Sequence, residues 1–365
     1  MPSPDTLREG QHVMAVCNAC RYCEGYCPVF PAMEDRVSFA GDDLSYLANL
    51  CHNCGECLYA CQFAPPHEFG INVPRTLARI RLESYEEYCW PAPLSALFRR
   101  HGAAKSCLAA LALGAVLLAL STVAGADVWP ARPAGDFYAV VPHGVMVGLF
   151  GAAGAFALLA LTIGAVRAQR AFGASPDLKG PASVIRGLLD ALTLRHLHTA
   201  GEDCTAAEEQ RSPWRRWFHH LTFYGFGLCF ASTSVAAFYH VVFGWRAPYA
   251  YGSLPVVLGT LGGAGLLAGP AGLLVLRRGR DAQLMDAAQS GLDRSFILML
   301  FATSATGLLL LVLRDRPAMP ALLAVHLGFV LGLFLTLPYG KFVHGIYRTV
   351  ALMVYARERQ RHERS

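Results

Sequence analysis

Two cysteine runs near the N-terminus constrain this chain more than any other feature: Cys17, Cys20, Cys23, Cys27 and, beginning 34 residues later, Cys51, Cys54, Cys57, Cys61. Both are spaced C-x2-C-x2-C-x3-C, and Pro28 follows the first, the arrangement of bacterial ferredoxins with two clusters. There, three thiolates of a run wrap one cluster while the fourth reaches across to the other. The spacing therefore predicts Cys17, Cys20, Cys23 and Cys61 around one 4Fe–4S cluster and Cys51, Cys54, Cys57 and Cys27 around a second. Four-thiolate zinc also uses C-x2-C pairs, but two per element; three with a lagging fourth make a poor tetrahedral hairpin. Gln62 stands where the second run lacks a proline, which bears on hydrogen bonding and not on ligand count. A chain built this way is expected to move electrons.

Of 365 residues, 54% are hydrophobic and only 16% charged. Soluble domains carry about 25% charged residues, so much of this chain is expected in lipid. The other cysteines, Cys89, Cys107, Cys204 and Cys229, form no disulfide framework, and iron–sulfur thiolates belong in a reducing compartment. The first hundred residues hold no apolar stretch of the signal-peptide kind, so no cleavable secretory signal is expected. Arg99 and Arg100 read as a topology anchor.

Six apolar spans follow, at roughly 105–126, 138–166, 218–243, 254–276, 295–313 and 320–340. Each approaches or exceeds the ~20 residues needed to cross a bilayer. The loop 167–217 carries Arg167, Arg170, Lys179, Arg186, Arg195, Arg211, Arg215 and Arg216; the loop 277–294 carries Arg277, Arg278, Arg280 and Arg294. Lys341, Arg348, Arg357, Arg359, Arg361 and Arg364 follow the last span, whereas the alternate loops hold only Arg132, Arg246, Arg314 and Arg316. Eighteen against four places the cysteine domain, both basic loops and the C-terminus on the cytoplasmic side. The expected architecture is all-α. A helical two-cluster ferredoxin-like domain (residues 1–95) precedes a six-helix transmembrane domain (96–355) with cytoplasmic loop 167–217, and a basic cytoplasmic tail (356–365) ends the chain.

Within the first domain, Asp42 and Asp43 are placed to cap a helix through Leu44, Leu47 and Leu50, and Arg75 to Tyr88 has helical composition. Val184, Ile185, Leu188, Leu189 and Leu192 read as one apolar face of an interfacial helix. Gly144/Gly148, Gly259/Gly263 and Gly265/Gly269 are small-xxx-small pairs suited to close helix packing, or to the approach of a flat macrocycle.

Histidines mark both ends of the spans, where ionisable groups are costly and usually functional. His326 and His344 are 18 residues apart, five whole turns if one helix carries both. His219 and His240 are 21 residues apart, about 60° short of a whole number of turns, whereas His220 lies nearly on the face opposite His240. Antiparallel helices with histidines at both faces can coordinate one or two b-type haems. The expected pairs are His240–His326 outside and His219 or His220–His344 inside, with His143 a rival outer ligand. Lys341 and Tyr339 are candidate quinone contacts near the inner pair. His196, His198 and Cys204, near Glu202 and Asp203, read first as a solvated loop, and His12, His52, His67 and His101 as surface or supporting residues.

No strand–GxGxxG–helix unit, Walker motif, HExxH or Ser/His/Asp arrangement is present, so an organic substrate site is expected on a partner. A transporter with a redox domain is disfavoured because the mid-span regions hold no Asp, Glu, Lys or Arg. A membrane redox sensor acting through loop 167–217 is the other alternative.

The doubled cysteine run, the stretch Cys61-Gln62-Phe63-Ala64-Pro65-Pro66-His67-Glu68-Phe69, the entry His219-His220-Leu221-Thr222-Phe223-Tyr224-Gly225 and the segment Leu337-Pro338-Tyr339-Gly340-Lys341-Phe342-Val343-His344-Gly345 together resemble the tricarballylate/citrate-utilisation protein B family. The resemblance covers nearly the whole chain. It implies a membrane electron carrier that reoxidises the reduced flavin of a soluble FAD-dependent tricarballylate dehydrogenase. Electrons would pass through iron–sulfur clusters and haem to membrane quinone, in a bacterial-type inner membrane with no nucleic-acid partner. The spacing of His326 and His344 is also similar to that in the haem b subunit of respiratory nitrate reductase, whose third-span pair is more narrowly spaced than the one here.

The charge pattern predicts that alkaline phosphatase fused after Ala250 is active and a fluorescent protein there dark. Fusions after Met285 should give the reverse, and activity of both phosphatase fusions would overturn the topology.

Overall fold

In a computed structural model the described residues are 2–99, 103–123, 136–173, 181–197, 204–205 and 211–363. Arg100, His101, Arg132, Lys179, His198, Glu202, Asp203 and Arg364, named above, lie outside them. The described residues are helical as expected, apart from a pair of two-residue antiparallel strands, Cys204–Thr205 and Arg211–Ser212.

The first helices are α1 (Pro4–Cys20), α2 (Val29–Glu34), α3 (Gly41–Leu50), α4 (Glu56–Tyr59), α5 (Val73–Tyr88) and α6 (Ala92–Arg99). Ser3 starts α1 by accepting from Thr6 N–H, and Asn72 starts α5 by accepting from Arg75 N–H at 3.1 Å. Asp43 does not cap α3 forward; its carboxylate reaches back to Ala40 N–H at 3.1 Å. Met14, Leu44, Leu47, Leu77 and Ile80 meet in the core of this domain and are fully buried.

The remaining helices are α7 (Ala103–Val123), α8 (Phe137–Val140), α9 (His143–Ala171), α10 (Pro181–Leu192), α11 (Trp214–Phe243), α12 (Leu254–Arg278), α13 (Ala287–Val312), α14 (Met319–Thr336) and α15 (Val343–His362). Six of them, α7, α9, α11, α12, α13 and α14, are long and apolar enough to cross a membrane. The chain is a membrane protein. α11 lies on α12, α12 on α13, α13 on α14, and α14 on α7 and α9. Between α11 and α12 the backbones nearly touch: a Cβ on Gly262 would lie 2.8 Å from Cys229 N. Gly144 and Gly148, by contrast, meet nothing within 4 Å.

The last span ends sooner than the histidine spacing assumed. Pro338 has no N–H to continue α14, and Tyr339 and Gly340 turn back onto Thr336 O at 3.1 and 2.8 Å. His344 therefore belongs to α15, and His326 and His344 do not share a helix face. α15 packs on α3, α9 and α10. Its Val343, Tyr347, Ala351 and Leu352 are buried in the same core as Met14 and Leu47. The cysteine domain thus shares its interior with the helix that leaves the bundle.

α10 presents Ile185, Leu188, Leu189 and Leu192 outward, and turns Ser183, Gly187 and Asp190 inward. Its small and polar side packs on α15, which leaves the apolar face exposed.

Gly55 holds the turn between Cys54 and Cys57 at φ +101°, and a Cβ there would lie 2.8 Å from Leu284 Cδ1. Gly55→Ala is expected to cost about 1–3 kcal/mol through the left-handed backbone alone. Thermal unfolding of purified protein checks this, and an unchanged midpoint would refute it.

Candidate functional site

Cys17 and Cys20 close the last turns of α1. Arg21, at φ 55°, ends that helix by donating its N–H to Cys17 O at 2.8 Å, which sends the chain back through Cys23 and Cys27. Cys51 caps α3, Asn53 (φ 56°) and Gly55 turn the chain left-handed, and Cys57 rides on α4 just before Cys61. Polar caps and left-handed turns thus hold the thiols, with no strand needed.

The thiols gather across the two runs, not within them. Cys17, Cys20, Cys23 and Cys61 line one cavity of about 270 Å³, and Cys57 reaches its wall. Cys27, Cys51, Cys54 and Cys57 line a second, tighter hollow. Burial pushes the Cys17 thiol up to about 12, and Cys61, Cys23 and Cys20 add to the rise. Burial also holds Cys27 well above the usual thiol range, and its thiol neighbours are Cys54 and Cys51. Thiols so placed ionise only alongside a cationic centre, which is what metal binding supplies. Among the described residues no three His, Cys, Asp or Glu converge on a single-ion point. A cavity of about 270 Å³ walled by thiols leaves room for an iron–sulfur cluster.

The second cysteine loop is tied to the membrane helices. Arg215 of α11 donates to His52 O at 2.8 Å and to Asn53 O at 2.9 Å, and Arg280 also donates to Asn53 O. Arg348 of α15 donates to His52 Nδ1 at 3.2 Å, and Asn53 Nδ2 donates to Leu284 O at 3.3 Å.

One helical turn further along α11 and α15 stand His219 and His344. Their ring centroids are 6.0 Å apart with planes at 82°. Two imidazoles axial to one metal, with metal–nitrogen bonds of about 2.0–2.1 Å, would have centroids roughly 6 Å apart. His344 Nδ1 lies 2.6 Å from Lys341 O, and a carbonyl only accepts, so Nδ1 carries the proton and Nε2 keeps its lone pair. Burial holds the His344 pKa down to about 3, in the neutral ligand form. His219 Nδ1 is buried without a hydrogen-bond partner. The inner pair has the spacing of two imidazoles on one metal. His220 packs instead against Tyr224 and Trp217.

The outer end differs from expectation. His240 stacks on His143 at 3.7 Å, too close for an iron between the rings. His326 turns to α13, with Nδ1 3.2 Å from Thr303 O and 3.1 Å from Thr306 Oγ1. α14 packs on α7, α9 and α13, whereas His240 stands on α11, which packs on α12. The outer residues as arranged do not fit a second bis-histidine haem.

Two family models match, the citrate utilization protein B Fer4-like domain over residues 10–87 and citrate utilization protein B over residues 99–365. The chain belongs to the citrate utilization protein B family. Citrate utilization protein B of Escherichia coli is 49% identical over 354 residues, 97% of this chain and 93% of that relative. No solved structure matches. A Fer4-like domain on crossed thiol rings supports an iron–sulfur electron-transfer role for this member of the family.

Sequence reading missed the arginine ties to the second cysteine loop. Arg215/His219 and His344/Arg348 are each four residues apart, a signal visible beforehand only if both helices were known to face that loop. His52, expected at the surface or in support, is 6% exposed. His196 is half-buried, 3.5 Å from Asp190, and not solvated. Lys341 Nζ lies 2.9 Å from Asp293, which Arg277 also meets at 3.1 Å, and Tyr339 Oη donates to Trp90 O at 3.0 Å. Both candidate quinone contacts thus hold structural bonds.

Crossed ligation predicts that Cys61→Ser gives the EPR spectrum of Cys17→Ser and that Cys27→Ser gives that of Cys51→Ser. The opposite pairing would show that each run serves its own cluster.

Proposed function

We propose that this protein reoxidises the reduced flavin of a soluble FAD-dependent dehydrogenase of tricarballylate or a similar tricarboxylate and delivers the electrons to membrane quinone. The name of the Escherichia coli relative supports a place in citrate utilisation. One observation carries the reading: Arg215 and Arg348, which hold the second cysteine loop, stand four residues from His219 and His344 on α11 and α15, about 6 Å along each helix axis.

Two 4Fe–4S clusters and a haem b, when bound, supply one-electron carriers between a two-electron donor and a two-electron acceptor. Cys17, Cys20, Cys23 and Cys61 would hold one cluster, and Cys51, Cys54, Cys57 and Cys27 the other. His219 and His344 would hold the haem, with Lys341 O orienting His344. The balance is simple. The flavin gives up two electrons and two protons, and the quinone takes two electrons and two protons. The chain's own residues carry no proton in this scheme; they position, insulate and set potentials. The first cavity carries Tyr22 (67% exposed) on its wall, a surface suited to flavoprotein docking. Basic residues on alternate loops support an inner membrane with both termini cytoplasmic.

The test is spectroscopy of native membranes. His219→Ala and His344→Ala should each abolish the b-type absorbance and quinone reduction by the reduced dehydrogenase, whereas His220→Ala should keep both. Full quinone reduction in His344→Ala would sink the haem assignment.

A further inference from the structure

The surroundings of the two thiol rings are electrostatically unequal. At the second ring, Arg348 donates to His52 Nδ1, and Arg215 and Arg280 grip the carbonyls of His52 and Asn53 between the ligand positions Cys51 and Cys54. His52 and Asn53 are 6% and 7% exposed, so water screens these charges poorly. The Arg348 charge acts directly on Cys51 and Cys27. Asn53 N–H also donates to Cys51 Sγ at 3.3 Å, a bond that favours negative charge on sulfur. At the first ring, the Glu56 carboxylate acts on Cys23, and Tyr22 and Gln62 open its wall to solvent. Reduction adds one negative charge to a cluster, so cations favour it and carboxylates oppose it.

We propose that Arg348, backed by Arg215 and Arg280, fixes the direction of electron flow. It makes the Cys27–Cys51–Cys54–Cys57 ring the higher-potential exit and leaves the Cys17–Cys20–Cys23–Cys61 ring as the entry. This rests on the electron-transfer reading above. In each transfer the entry ring's cluster loses one electron and the exit ring's cluster gains it, and no proton moves. The reduced flavin is the source and quinone, through the inner histidine pair, the sink. The geometry agrees: the entry faces solvent, where a soluble donor arrives, and the exit loop is bonded to the helices that carry His219 and His344. Arg348 is a positioning and tuning residue, touching His52 and no reacting atom.

The test is an EPR-monitored potentiometric titration of the full-length protein in detergent. In Arg348→Gln, reduction at the exit ring should become roughly tenfold less favourable, about 59 mV for one electron, while the entry midpoint stays put. Arg348→Lys, which keeps the charge, should stay near wild type. Unchanged midpoints, equal shifts in both, or a lysine variant that falls as far as glutamine would each overturn the proposal. If Arg348→Gln fails to retain its iron, Arg280→Gln should give the same one-sided fall, and no fall there overturns it. Absence of two iron–sulfur signals in the wild type would defeat the electron-transfer reading itself. Two signals indifferent to these arginines defeat only the directional assignment.

Discussion

The seam where the His52–Asn53 loop meets Arg215, Arg280 and Arg348 joins two structures with opposite solvent requirements. A cysteine domain this small has little interior of its own, and a membrane bundle ends in helix termini that need polar partners. Both needs are met at once. α15 contributes Tyr347, Ala351 and Leu352 to the cysteine domain's core, and arginines from the bundle side satisfy carbonyls of the ligand loop. The far end of α15 is riveted as well: Glu358 takes Arg36 at 2.9 Å and Tyr46 Oη at 2.7 Å, and Arg36 also meets Asp43 at 2.9 Å. With one guanidinium between two carboxylates and half the side chains shielded, this contact resists salt better than a surface pair.

Burial of charge follows one rule throughout. Asp293 sits between Lys341 and Arg277, and the carbonyl of that same Lys341 accepts the His344 proton. Removing Asp293 would strand both cations in a low-dielectric site, the costly case, whereas loss of one cation leaves the other paired with the carboxylate. The inner histidine is thereby oriented by a network anchored on α12 and α13. Of the outer histidines, His326 is held by Thr303 and Thr306, while the rings of His143 and His240 stack on each other.

Much of this was legible beforehand. The cysteine-rich domain and the six apolar spans came from spacing and hydropathy, because ligand geometry and bilayer thickness impose fixed periods on the chain. The helix at 41–50 was foreseen from Asp42 and Asp43, although Asp43 works by reaching back to Ala40. The break after Thr336 was also readable in Pro338 and Gly340, but a histidine period running across it hid the signal. Depth matched His240 to His326, yet depth says nothing about which helices are neighbours. α14 lies between α7, α9 and α13, and His326 found Thr303.

What the amino-acid order determined alone was the cysteine pattern and the number of helices long and apolar enough to cross a membrane. Only tertiary structure decided partners. His219 against His344, His143 against His240, and three arginines on one ligand loop all depend on lateral helix packing. That packing is set by close approaches such as Gly262 against Cys229 and by the core shared with α15. Periodicity records the rise and turn of one helix; contact between two depends on side-chain shapes distant in sequence, and no local pattern encodes that.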